Sequence, residues 1–279
     1  MAFTTFHTLL RDPRHFQIAW LSIFLVAGQL WLGWALRPLV MILTISTALL
    51  VEIAHARLVS GRRGGWKSAL ITGLGLCLLL KVNAPVTAVV AAVVAIGSKF
   101  ALRVDGKHIF NPANLGIVAA VVLTGDAWVS PGQWGSHAIL LFAVGGLGFL
   151  VLRKVDRLDT TLTFLAVFGG SLVARNVLYL GWPMDLVIHQ MTSGTIMLFA
   201  CFMITDPKTT PDHRIARMIW AAGIGLASFA LSSYGYVYSA PIWALVAASP
   251  LVPVLDRLAR APRFQWHPTS IVHSSNQSS

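Results

Sequence analysis

The sequence predicts an all-α polytopic membrane protein. About ten transmembrane helices are expected in an inverted five-plus-five repeat, with short or broken third helices in each half. Three observations point there. The 279 residues are 56% hydrophobic and only 11% charged, whereas soluble domains run about 25% charged. The mean hydropathy of the whole chain is +0.72, and its apolar residues gather into ten runs. The basic residues fall almost entirely between alternate runs.

The first run, 16–36, follows Arg11 and Arg14 without a small-residue cleavage site, so it reads as an uncleaved first helix. Runs at 38–56, 67–82, 85–102 and 112–125 complete the first half. The second half has runs at 137–152, 160–182, 191–205, 215–233 and 236–255. With the N-terminus placed inside, all 21 Lys and Arg except Arg37, Lys81 and Arg175 fall on the inner side. Basic loops are retained in the cytoplasm, which puts both termini there, in a bacterial-type inner membrane. The chain thus divides into a cytoplasmic segment 1–14, a membrane domain 15–256 (halves of about 15–125 and 137–256) and a basic, then disordered tail 257–279.

This placement accounts for the net charge of +11 and excludes nucleic acid as a partner; the partners expected are the lipid bilayer and redox proteins. Trp128, Trp134, Trp182, Tyr234, Tyr236 and Tyr238 cluster at the outer ends as an interfacial belt. Cys77 and Cys201 lack metal-ligand spacing and read as buried small hydrophobes. No zinc site, catalytic triad or Walker loop is visible, so no catalytic or metal residue is assigned.

Function is expected at the stretch 192–211, TSGTIMLFACFMITDPKTTP. Thr192, Ser193, Gly194 and Thr195 can open a helix, their hydroxyls accepting first-turn amides. The apolar run that follows is far shorter than the roughly 20 residues a bilayer requires, and it closes on Asp206-Pro207. The corresponding stretch of the first half, ITGLGLCLLLKVNAP at 71–85, also has a Thr/Gly cluster, a short apolar run with one Cys, and a polar residue near Pro. Paired short helices from opposite faces would bring their partly positive amino ends together near mid-membrane, suited to an anion or a carbonyl oxygen.

A second concentration lies at 98–116, SKFALRVDGKHIFNPANLG. Asn111-Pro112 reads as an N-cap with Pro at the first helical position. Asn114, one turn on, is a carboxamide that must find a partner within the membrane. Glu52 and His55 share a helical face and either pair with each other or a loop Arg, or carry a proton or ion. Arg175 lies in the outer half against the charge pattern; Asp185 or Asp126 could neutralise it, or it could join Arg37 and Lys81 around an anionic ligand.

The segments GKHIFNPANLG and LFACFMITDPKTTP resemble the two signature segments of the NqrB/RnfD membrane-subunit family, over residues of about 67–256. GSKFALR, HIFNPAN and MITDPKTTP in so short a chain are most similar to its compact, standalone RnfD-like members of the UnbU type. The resemblance implies ten helices in inverted halves, a flavin (FMN or riboflavin) held in the membrane, and one-electron transfer between a donor and an acceptor. Larger members carry FMN on the Thr of a Ser-Gly-Ala-Thr segment. This chain lacks that segment, so the flavin is expected to be non-covalent, with Asn111, Asn114, Arg175, Thr192, Ser193, Gly194, Thr195 and Asp206 as the candidate contacts.

A membrane electron-transfer component is the leading reading, a redox subunit rather than a stand-alone turnover enzyme. A channel or carrier for a small polar solute or ion, and a ligand-free scaffold that docks a redox partner, are the alternatives that the residues leave open.

Overall fold

Proline opens the helices of this chain wherever its fixed φ and missing N–H cost nothing, at the first turn. Pro38, Pro85 and Pro112 each occupy that position. The computed structural model describes residues 12–30, 34, 37–60, 65–129, 152 and 156–264. The helices of the first half are α1 (Pro13–Leu30), α2 (Pro38–His55, continued by a π-turn Ala56–Ser60), α3 (Trp66–Leu79), α4 (Pro85–Ala101) and α5 (Pro112–Thr124). In the second half come α6 (Leu158–Leu172, with a π-segment Val173–Tyr179), α7 (Met184–Met191), α8 (Gly194–Leu198, with a π-segment Phe199–Met203), α9 (Arg214–Ser233), α10 (Ala240–Ala248) and α11 (Val252–Leu258). Each predicted run thus holds helix except 137–152, which lies outside the described residues apart from Leu152.

Among the described residues four helical stretches are long and apolar enough to cross a membrane: Pro38–Val59, Leu158–Tyr179, Arg214–Ser233 and Ala240–Leu258. A fifth candidate is the pair Met184–Met191 and Gly194–Met203, bent by 51° at the break between them. The chain is therefore mostly helical, with four or five candidate spans. Trp66–Leu79, Pro85–Ala101 and Pro112–Thr124 are apolar but shorter.

Small residues let these helices approach closely. Ala88, Ala91, Ala92 and Ala95 line the buried side of α4, which packs against α5 and α2. A Cβ at Gly116 on α5 would stand 2.6 Å from the Ala91 carbonyl oxygen and 2.8 Å from the Ala95 Cβ, so glycine is what permits this contact. In the second half α6 lies along α9, and Phe164 stacks on Phe168 and tilts against Phe199 of the π-segment after α8.

Two short antiparallel strand pairs lie at the ends of α4. Strand β1 (Leu80–Val82) pairs antiparallel with β4 (Ala127–Val129), and nearby Asp126 accepts from Ala84 N at 2.8 Å and Thr87 Oγ1 at 2.7 Å, which holds the start of α4. At the other end β2 (Arg103–Val104) pairs with β3 (Lys107–His108). Their turn places Asp105 at φ 53° and Gly106 at φ 78°, the left-handed pair that a tight hairpin uses.

One expectation about the short helices changes. The third helix of the first half begins at Trp66, with Gly65 before it, and not at the Thr/Gly cluster. Thr72 and Gly73 lie inside the helix. The Thr72 hydroxyl donates to Ser68 O at 3.0 Å, and a Cβ at Gly73 would come within 3.3 Å of Ile45. A threonine that bonds back along its own helix does not start one.

Candidate functional site

Two segments that stand almost a hundred residues apart meet at one point. Asn111 caps α5: its Oδ1 accepts from Asn114 N at 3.1 Å, while its Nδ2 donates to Met203 O at 3.2 Å across to the other half. Met203 ends the π-segment that continues α8. Around this wider π turn, side chains add donors to the backbone carbonyls. Thr161 Oγ1 of α6 donates to Ala200 O at 2.7 Å, and Thr205 Oγ1 to Cys201 O at 2.8 Å. Asn114 Nδ2 donates to Ile242 O of α10 at 3.0 Å, while its Oδ1 is buried with no partner among the described residues.

Below this junction lies a cavity of about 110 Å³. Its polar lining comes from Lys99 at the end of α4, His108 of β3, Asn111, and Thr205, Asp206 and Lys208 in the turn after α8. Apolar walls come from Leu78, Leu79, Leu198 and Phe202. Asp206 organises its turn. Its Oδ1 accepts from Lys208 N at 3.0 Å, and its backbone carbonyl accepts from Thr209 N at 3.0 Å and Thr210 N at 3.1 Å. Burial pushes the Asp206 carboxyl up, against the pull of Lys99, Lys208 and Arg157.

Burial holds His108 neutral as well. Burial, with the positive charges of Arg103 and Lys99 beside it, lowers its pKa to about 4. Its Nδ1 is buried without a partner among the described residues. Lys99 is already engaged: its Nζ donates to Glu52 Oε2 at 2.6 Å, and Glu52 Oε1 accepts from Gly65 N at 3.0 Å. Among the described residues Glu52 thus pairs with neither His55 nor an arginine. His55 stacks flat on Phe100, centroids 3.5 Å apart.

The candidate residues fall into separate groups. Asn111 and Asp206 line the cavity, and Asn114 sits one turn behind it. Residues 192–195 stand at the far end of the Gly194–Met203 helix, about 15 Å away at 1.5 Å per residue. There Ser193 Oγ accepts from Ile196 N at 3.4 Å as the expected cap, and exposed Thr192 donates to Ile188 O at 2.8 Å. Gly194 and Thr195 are buried. Arg175 is elsewhere again, donating to Asn176 Oδ1 at 3.2 Å with its guanidinium 5.0 Å from the Tyr234 ring. Among the described residues no carboxylate pairs with it, and Asp126 is occupied at the start of α4. Lys99, His108 and Lys208 carry no signal of their own in the sequence, although each lies within or beside a signature segment.

The lining offers ammonium donors, a carboxyl and an imidazole acceptor, a set that fits the carbonyl- and N–H-bearing edge of a flavin ring. The enclosed space does not take the whole ring: 110 Å³ holds several waters, whereas ligand pockets run about 300–1,000 Å³. A flavin here requires the walls to part.

The profile of the NQR2, RnfD, RnfE family matches residues 122–265, just over half of the chain. The chain belongs to this family. It is similar to the D subunit of the ion-translocating oxidoreductase complex of Stutzerimonas stutzeri, 32% identical over 165 residues, which are 55% of this chain and 45% of that protein. The protein of the same name from Klebsiella pneumoniae is 35% identical over 151 residues, 52% and 39% of the two chains. Its namesake from Halorhodospira halophila is 28% identical over 141 residues, 50% and 38%. The chain spans less than half the length of these curated relatives.

Proposed function

We propose that this chain is a membrane electron-transfer component of an ion-translocating redox assembly, of RnfD type, and that its polar cavity binds a flavin without a covalent bond. One observation carries the reading: the two signature segments converge, Asn111 on Met203 O, around a cavity with Lys99, His108, Asp206 and Lys208 in its lining. The ten-helix, inverted five-plus-five arrangement with both termini in the cytoplasm belongs to the same reading, supported by the helices found at the predicted runs and by the charge pattern.

A flavin, when bound, supplies one-electron chemistry; the protein supplies position and local charge. Lys208 donates to an acceptor on the ligand edge, and the neighbouring Lys99 favours negative charge there. His108 Nδ1 accepts an N–H or O–H. Burial raises the affinity of the Asp206 carboxyl for a proton, which suits it to share one with the ligand edge. Leu78, Leu79, Leu198 and Phe202 keep bulk water out. Asn111 has both amide atoms committed, so it positions the two halves rather than gripping the ligand.

The absorbance spectrum of the detergent-purified protein tests this. Flavin bands are expected, lost from the protein on denaturation and filtration, and reduced in Asp206→Asn and Lys208→Met. A colourless protein sinks the flavin. The size of the cavity favours a second reading, a channel or carrier for a small polar solute or ion; a colourless protein that speeds flux in liposomes would establish it.

A further inference from the structure

A second cavity, of about 340 Å³, lies where the β2–β3 hairpin meets the end of α11. It shares His108 of its lining with the Asp206 cavity, so the imidazole stands as a partition between the two. Opened into one another across this ring, they give room within the range of ligand pockets, about 300–1,000 Å³, that the Asp206 cavity alone lacks.

One wall of the second cavity is the chain that follows α11: Arg260, Ala261 and Arg263 line it. The root of this segment is fixed. Lys107 Nζ sits between Asp256 Oδ2 at 2.8 Å and Asp212 Oδ2 at 3.1 Å, and the other Asp256 oxygen accepts from Asp212 N at 2.8 Å. Ala259 then leaves helical geometry, at φ −124° and ψ 89°, and residues 260–264 run on without regular structure.

The far end is held by lighter contacts. Exposed Arg263 donates from Nη1 to Asp105 O at 2.6 Å. The Phe264 ring lies 5.7 Å from the buried Arg157 guanidinium. Phe264 O accepts from Lys208 Nζ at 3.5 Å, beyond the usual span of such a bond. Lys208 also lines the Asp206 cavity, so the segment walls one cavity with its middle and touches the other with its tip. A hydrogen bond open to water and a cation–ring contact are each modest. A segment with ion pairs at its root and only such contacts at its tip opens locally before the rest of the fold does.

We propose that residues 260–264 are a lid over the second cavity, hinged at Ala259 and latched by Phe264, and that raising it admits the ligand past His108 into the Asp206 cavity. The inference rests on that cavity being the functional site, not on a flavin filling it.

The test is thiol labelling of the full chain in detergent with the small cationic reagent 2-aminoethyl methanethiosulfonate, read by mass spectrometry at each cysteine. Cys201 lines the Asp206 cavity. Cys77, buried with its Sγ 3.9 Å from Met41 O, lies outside that lining and serves as the internal control. Cys201 is expected to react about tenfold faster in Phe264→Ala and in Arg263→Ala, as the loss of one charged contact implies, with Cys77 unchanged. Phe264→Tyr, which keeps the ring, should stay near the wild-type rate. Equal Cys201 rates in the wild type and both alanine variants overturn the proposal. So does a rise at Cys77 in step with Cys201, which would mean general loosening. Labelling reports access and the absorbance spectrum reports occupancy, so the lid and the flavin can each fail alone.

Discussion

Lys99 Nζ stands 2.6 Å from Glu52 Oε2, with both side chains buried. The pair ties the C-terminal end of α2 to the C-terminal end of α4, and the second Glu52 oxygen holds Gly65 N just before α3. Three helices are thus fixed by one carboxylate. Removing one partner leaves the other charge buried and uncompensated, which costs about 3–5 kcal/mol. Lys99→Met alone is expected to lower the melting temperature in detergent strongly. The double variant Glu52→Gln with Lys99→Met should recover much of the loss. Equal melting of the single and double variants would show that the pair contributes nothing beyond its packing.

Gly116→Ala drives a methyl group into the Ala91 carbonyl and the Ala95 Cβ. Helix backbone cannot yield there as a flexible side chain would, so a loss of about 1–3 kcal/mol is expected. Thermal unfolding of Gly116→Ala beside Gly223→Ala, where an added Cβ meets nothing within 4 Å, isolates the effect of the contact.

His108 predicts an acid-side loss of stability. Its folded pKa is about 4 against an ordinary 6.5, so between these values the unfolded chain binds a proton that the folded chain refuses. Stability therefore falls as pH drops from about 6.5 to about 4, by up to about 3 kcal/mol. Arg103, Lys99 and Lys208 oppose the charge on the ring; Lys107, Asp206, Asp212 and Asp256 share the cavities it lines. His108→Gln should flatten the melting temperature against pH in that window. An unchanged slope would mean that another group causes the loss.

Arg217 grips Asp159 with a fork: Nε stands 3.0 Å and 3.1 Å from the two carboxylate oxygens, and Nη2 2.7 Å from Oδ2. Its Nη1 also donates to Asp212 O at 3.2 Å. A lysine ammonium cannot reproduce this planar set. Arg217→Lys should destabilise by about 1–3 kcal/mol, whereas Arg214→Lys, whose side chain is 75% exposed, should change little.

Element positions were legible because each apolar run between basic turns can do little else but form a helix. The caps at Asn111 and Ser193 were legible too, since a short oxygen-bearing side chain before Pro or Gly has few other roles. The start of α3 was not, because Thr72 satisfies itself within its own helix. Nor was the partner of Glu52, which lies 47 positions away and is chosen by packing. The candidate site was read in pieces. Asn111 and Asp206 meet, but residues 192–195 belong to the opposite end of the same helix, a separation visible only once the π-segment had a length and a direction.

That π-segment has a mechanical consequence. Its buried carbonyls at Ala200 and Met203 are held by Thr161 from one neighbour and Asn111 from another, so it is pinned on two sides like a rivet. Sliding α8 past either neighbour would strip that neighbour's donor from a buried carbonyl. Motion at this joint is therefore carried by side chains more readily than by whole helices.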